Sequence, residues 1–214
     1  MLEQIIAKIE ILVREKFSGN EGSHDWYHID RVRWLALHIA DNEGGNRLVV
    51  ELAALLHDMN DWKFRTSNSD NNQIDTWLKI VNTPPRLIAQ VNVVVEEVSF
   101  KGAGVTTPCS SIESMIVQDA DRLDAMGAVG IARAFAYGGS KNRPLYNPDE
   151  NQSLHRSFKE YQKNSSSSIL HFHEKLLLLK DRMNTQTARH MAIARHETML
   201  KFLDDFFDEW NLKI

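Results

Sequence analysis

Apolar residues recur every three or four positions along almost the whole chain, the period of a helix that buries one face. The pattern predicts helices over about 2–17, 25–41, 46–59 and 72–82. Another runs from Pro84 to about 98, with Thr83 as its cap and proline at the first helical position. Its "VNVVVEEVSF" portion is β-branched and would suit a strand, but the start signal and the helical frame favour helix. Thr107-Pro108 repeats that start ahead of "MIVQDADRLDAMGAVGIARAFAYGG", read as helix with a break near Asp119. "SKNRPLYNPDEN" is the longest irregular stretch, a candidate flap in which Arg143 and Tyr146 could touch a leaving group or base. Serines 165–168 read as an N-cap region for "ILHFHEKLLLLKDRM", and "NTQT" opens the last helix. There Phe202, Phe206 and Trp210 follow at i, i+4 and i+8, a packing stripe. The expected class is all-α, with residues 1–214 in a single domain.

Composition narrows the function classes. A net charge of −4, from 25 basic and 29 acidic residues, leaves no basic footprint for nucleic acid. No apolar stretch approaches the roughly 18 residues of a membrane span. The opening "MLEQIIAKIEILVREK" alternates charged and apolar residues, as an amphipathic helix and not a signal peptide. Cys109 is the only cysteine, which rules out disulfides within the chain. A cytoplasmic protein is expected.

Three segments set polar residues into these apolar helices. They are "SHDWYHIDRV" with His24, Asp25 and His28, "ALLHDMND" with His57, Asp58 and Asp61, and "VQDADRLDA" with Asp119, Asp121 and Asp124. Singly, each is an ordinary packing histidine or a helix-end acid. Together they pose one question, because burying a carboxylate beside an imidazole is costly unless something pairs with both. Two imidazoles and two carboxylates from three helices would bind one divalent cation, which compensates the charges.

These residues resemble the HD superfamily of metal-dependent phosphohydrolases. The H…HD…D pattern is carried by His28, by His57-Asp58 and by Asp121 in "DADRL". The likeness extends to the branch with "HDWxHxxRV", "SFKG", "QDADRLDAxGAxGIAR" and "FxEKLLxLKDxMNTxTA", and covers roughly residues 22–190. It implies an HD-type helical bundle, with the C-terminal helix packing on the core motifs. It also implies a metal held by His28, His57, Asp58 and Asp121, with Asp119 as the competitor for the fourth place. Asp61, one turn past Asp58, would take a proton from an attacking water. His24, one turn before His28, would contact substrate or water, and Asp25 would orient a ligand histidine. Lys101 in its glycine-flanked loop, Lys63 and Arg122 are the candidates for holding a phosphate.

No histidine lies between Asp58 and Asp119. The phosphodiesterase and di-iron oxygenase branches place second-metal histidines there, so a mononuclear site is expected, with Glu96 and Glu97 the remaining substitutes. Mixed nitrogen and oxygen donors suit manganese, iron, cobalt or magnesium. The resemblance therefore implies a hydrolase of a nucleotide or other small phosphate compound, cleaving a phosphomonoester or a pyrophosphate bond. The alternative is a non-catalytic module that senses a nucleotide.

Overall fold

The apolar rows become helices. The structure is a computed structural model and describes residues 2–18, 25–60, 73–98, 107–150 and 166–213. Among them are nine α-helices: α1 (Leu2–Phe17), α2 (Trp26–Glu43), α3 (Arg47–Leu56), α4 (Gln73–Ile80), α5 (Pro85–Val98), α6 (Ile112–Asp124), α7 (Gly127–Ser140), α8 (Ser168–Glu174) and α9 (Gln186–Trp210). Two 3₁₀ segments, His57–Asn60 and Leu176–Arg182, follow α3 and α8. No strand occurs among the described residues, and none of their helices is long and apolar enough to cross a membrane.

The chain packs as two compact units, one taking the described residues up to 98 with 107–121, the other those from 122 onward. In the first, α3 is the centre. Every residue from Val49 to Leu56 is buried, which is why all of "VVELAALL" but Glu51 is apolar. It is packed by α1, α2 and α5. The stripe Ile5, Ile9, Val13 and Phe17 of α1 is buried, as are Ile29, Val32, Ala36 and Ile39 of α2. Arg33 of α2 links all three N-terminal helices. It donates through Nε (2.9 Å) and Nη2 (2.5 Å) to Glu51 Oε1 of α3, and through Nη1 to Glu10 Oε2 of α1 at 2.9 Å. Burial would lower the Arg33 pKa, but its bonds to Glu51 and Glu10 raise it above the usual arginine value.

The second unit packs α7 and the Leu176–Arg182 segment against α9, and α8 against α7 and that segment. Phe172 stacks on Phe202 with ring centroids 5.6 Å apart, and Phe206 on Trp210 at 5.7 Å. The aromatic stripe of the last helix is thus a packing surface. Tyr146 joins it, its ring edge-on to Trp210 at 5.0 Å. In a 3₁₀ helix every third side chain falls in one row, which is how Leu176 and Leu179 are both buried.

Several boundaries differ from the sequence expectation. α3 stops at Leu56 instead of continuing to 59, and the chain tightens into the His57–Asn60 turn. Pro84, not Thr83, takes the cap position of α5: Ile88 N–H bonds to the Pro84 carbonyl, and the buried Thr83 hydroxyl makes no hydrogen bond. The helix expected from Thr107-Pro108 starts at Ile112, where the Ser111 hydroxyl accepts from Ser114 N–H at 3.1 Å. The break expected near Asp119 falls at Ala125-Met126, because Met126 is extended and Gly127 adopts φ +69°. The stretch after residue 168 is divided at Lys175 (φ −140°, ψ −60°) and is not one helix. The caps at Ser167 and Thr185 fall where the sequence places them.

Gly127 tests the break. A Cβ there would stand 3.1 Å from Arg195 Cγ, in a backbone region that L side chains rarely adopt. Gly127→Ala should cost about 1–2 kcal/mol, read as a lower urea midpoint with an unchanged slope.

Candidate metal centre

Asp25 begins the site. Its extended backbone precedes α2, and its Oδ1 accepts from the His28 N–H at 2.8 Å. This cap sets His28 in the first turn, on the same face as the buried Val32 and Ala36. Asp25 thus holds the backbone of a candidate ligand, as its expected orienting role requires by another route. His28 is fully buried.

His57 and Asp58 stand where α3 gives way to the 3₁₀ turn. His57 Nδ1 lies 2.8 Å from the Ala54 carbonyl oxygen. A carbonyl only accepts, so Nδ1 carries the proton and Nε2 presents its lone pair. That lone pair faces His28 Nε2 at 3.2 Å, with the rings edge to face. Asp58 spans the pair, Oδ2 at 3.4 Å from His28 Nε2 and Oδ1 at 3.4 Å from His57 Nε2. Asp121 of α6 completes the group. Its Oδ1 is 3.5 Å from His28 Nε2 and 3.8 Å from His57 Nε2.

The donor set fits a cation. His28, His57 and Asp58 are buried and can each offer one ligand atom, all within 4.8 Å of one another. Donors bound to one ion at about 2.0–2.2 Å stand roughly 3–4 Å apart, the spacing seen here. Two carboxylates converging on two imidazoles would otherwise leave negative charge against lone pairs in a low-dielectric site. Asp121 is the most accessible of the four, its side chain 29% exposed against 0%, 1% and 8% for His28, His57 and Asp58.

The other expected residues fall as follows. Asp119 is fully buried, and the helix turns it roughly 200° away from Asp121. It is Asp121 that meets the histidines. Arg122 is buried and donates through Nη1 to the Arg182 carbonyl. Glu97 accepts from Ser110 N–H at 3.0 Å. Although partial burial opposes it, bonds from Ser110 and Ser114 hold its carboxyl below the usual range. Glu97 thus ties down the approach to α6. His24, Asp61, Lys63 and Lys101 lie outside the described residues. Sequence reading missed the Ala54 carbonyl, which has no side-chain signature; its only signal is its place three residues before His57.

Comparisons with known proteins place the chain in a family. The HD domain family model matches residues 25–126. An HD-superfamily hydrolase from Bacillus thuringiensis is 37% identical, covers 99% of both chains and superposes with a TM-score of 0.76. A protein from Lactobacillus plantarum is 31% identical over 98% of both chains, with a TM-score of 0.89. The chain is an all-α protein of the HD superfamily. It is also 37% identical over 203 residues to Bacillus subtilis YpgQ, covering 94% of this chain and 89% of that one. YpgQ has been crystallised in complex with ADP; that structure covers 95% of this chain and 97% of its own, at 34% identity and a TM-score of 0.75.

The α2 cap is open to a direct test. Asp25→Ala should lower stability by about 1 kcal/mol and Asp25→Asn should restore it, since asparagine caps equally well. Thermal denaturation of the two variants measures the difference.

Proposed function

We propose that the protein is a phosphohydrolase that uses one divalent metal ion, held by His28, His57, Asp58 and Asp121, to act on a nucleotide or other small phosphate compound in the cytoplasm. The observation that carries this reading is the convergence of the four side chains, with carboxylate oxygens 3.4–3.8 Å from two imidazole nitrogens that face each other. The ADP complex of YpgQ supports a nucleotide as the substrate class. The missing histidines between Asp58 and Asp119 support a single ion.

Bound there, manganese, iron, cobalt or magnesium supplies Lewis-acid polarisation of a phosphoryl oxygen and a more acidic water. The chain's own groups do the rest. The Ala54 carbonyl fixes the His57 tautomer and so keeps Nε2 free to ligate. Asp61 takes the proton of the attacking water, and His24 contacts substrate or water. Lys101, Lys63 and Arg122 offset the charge on the phosphate, the lysines as compact charges and the arginine as a fork.

The deciding experiment is a panel of nucleotides and simple phosphoesters, assayed for phosphate and pyrophosphate with added manganese. Release of either product supports the hydrolase and identifies the bond. Manganese and nucleotide binding with no product would instead indicate a sensing module.

Two variants probe the assignment. His57→Ala should abolish metal binding and turnover while far-UV circular dichroism stays that of the wild type, because the core does not depend on the ion. Asp61→Asn should retain the metal and lower kcat by about 10²–10⁴; full turnover at full metal occupancy would remove Asp61 from the mechanism.

A further inference from the structure

α2 and α3 form a helical hairpin closed by the turn at Gly44 and Gly45. Two buried polar contacts cross its seam among the described residues, and a third, from Arg47 to Asp41, is exposed beside the turn. Of the buried two, one joins residues 28 and 57, the other residues 33 and 51. Both pairings belong to one antiparallel register, and the second lies about five residues, or roughly 7–8 Å, along α2 from the first. The imidazoles sit at the open end, roughly 22 Å from the turn along α2 and roughly 15 Å along α3.

Between these contacts the buried part of the seam is apolar. Ile29, Val32, Ala36 and Ile39 on one side and the buried face of Val49–Leu56 on the other contribute non-directional packing. Such surfaces hold two helices together without fixing their sliding position sharply. The Arg33–Glu51 contact is directional. Two guanidinium donors grip one carboxylate oxygen, and Glu10 takes Nη1 from the side of α1, which fixes the plane of the guanidinium. Both side chains are nearly buried, Arg33 13% and Glu51 12% exposed. A buried ion pair contributes little net stability against an apolar pair of like volume, and setting register is its best-attested use.

We propose that Arg33 and Glu51 are positioning residues for the metal centre: their ion pair locks the register of the hairpin and so holds His28 and His57 at the separation at which both can ligate one ion. A slip of one residue moves His57 by about 1.5 Å along the seam, half the 3.2 Å between the two nitrogens. The inference rests on the reading of the four residues as a metal site. It adds two residues that touch neither metal nor substrate.

Arg33→Met combined with Glu51→Leu removes both charges of the pair at once, and Glu10, which also loses Arg33, is 30% exposed and can turn to water, so the midpoint of thermal unfolding should stay near the wild-type value. Manganese affinity of the chelator-stripped double variant, measured by titration calorimetry, should fall about 10–100-fold, the scale for loss of a group that supports a ligand. Arg33→Lys, which keeps the charge and loses the fork, should show a smaller fall in the same direction with an unchanged circular dichroism spectrum. Wild-type affinity in a folded double variant overturns the lock; if that variant does not fold, wild-type affinity in Arg33→Lys does so. A crystal structure of either variant gives a readout that needs no metal. The distance between the two Nε2 atoms should differ from the wild-type value, and an unchanged distance counts against the lock. A wild-type protein that binds no manganese would instead defeat the metal reading, which keeps the two failures distinct.

Discussion

Two imidazole nitrogens that face each other inside a protein, with carboxylates on either side, constitute a constraint before they constitute a site. His28 and His57 are sealed from solvent, and Asp58 nearly so. Their charges and lone pairs need a positive partner, and the surrounding helices must be held rigid enough to keep them in place without one. The hairpin of α2 and α3, the cap at Asp25 and the carbonyl of Ala54 each serve that end. α3 carries the greatest share, because the burial of Val49–Leu56 anchors one half of the group in the centre of its unit.

Helix periodicity is written into the sequence wherever one face of a helix is apolar, and α1, α2, α4 and the last helix are found close to where that pattern puts them. The errors cluster where backbone geometry decides. Gly127 breaks the chain after Met126 through a positive φ, a property that one glycine among several does not announce. Thr83 carries the right side chain for a cap, yet the carbonyl of Pro84 opens the helix one residue later. The end of α3 at Leu56 is set by a tightening turn that leaves no composition signal, although it is the turn that aims Asp58.

The clustering of His28, His57 and Asp58 is more legible than the boundaries. Histidine and aspartate in apolar helices carry a free-energy cost that only a partner removes, so their presence is informative without coordinates. The pairing of Arg33 with Glu51 was not legible in the same way. Glu51 interrupts an apolar run and Arg33 follows an apolar position, but neither names its partner until the hairpin brings them together. Asp121 over Asp119 was favoured by resemblance, and the helix then sets Asp121 against the histidines.

The burial of α3 also shapes how the protein opens. Its first residue, Arg47, is exposed, but from Val49 onward every side chain is buried, so solvent reaches those amides through the loss of the whole unit. Hydrogen exchange along Val49–Leu56 is therefore governed by unfolding of the unit. One wall of the candidate metal centre thus opens no faster than its unit unfolds.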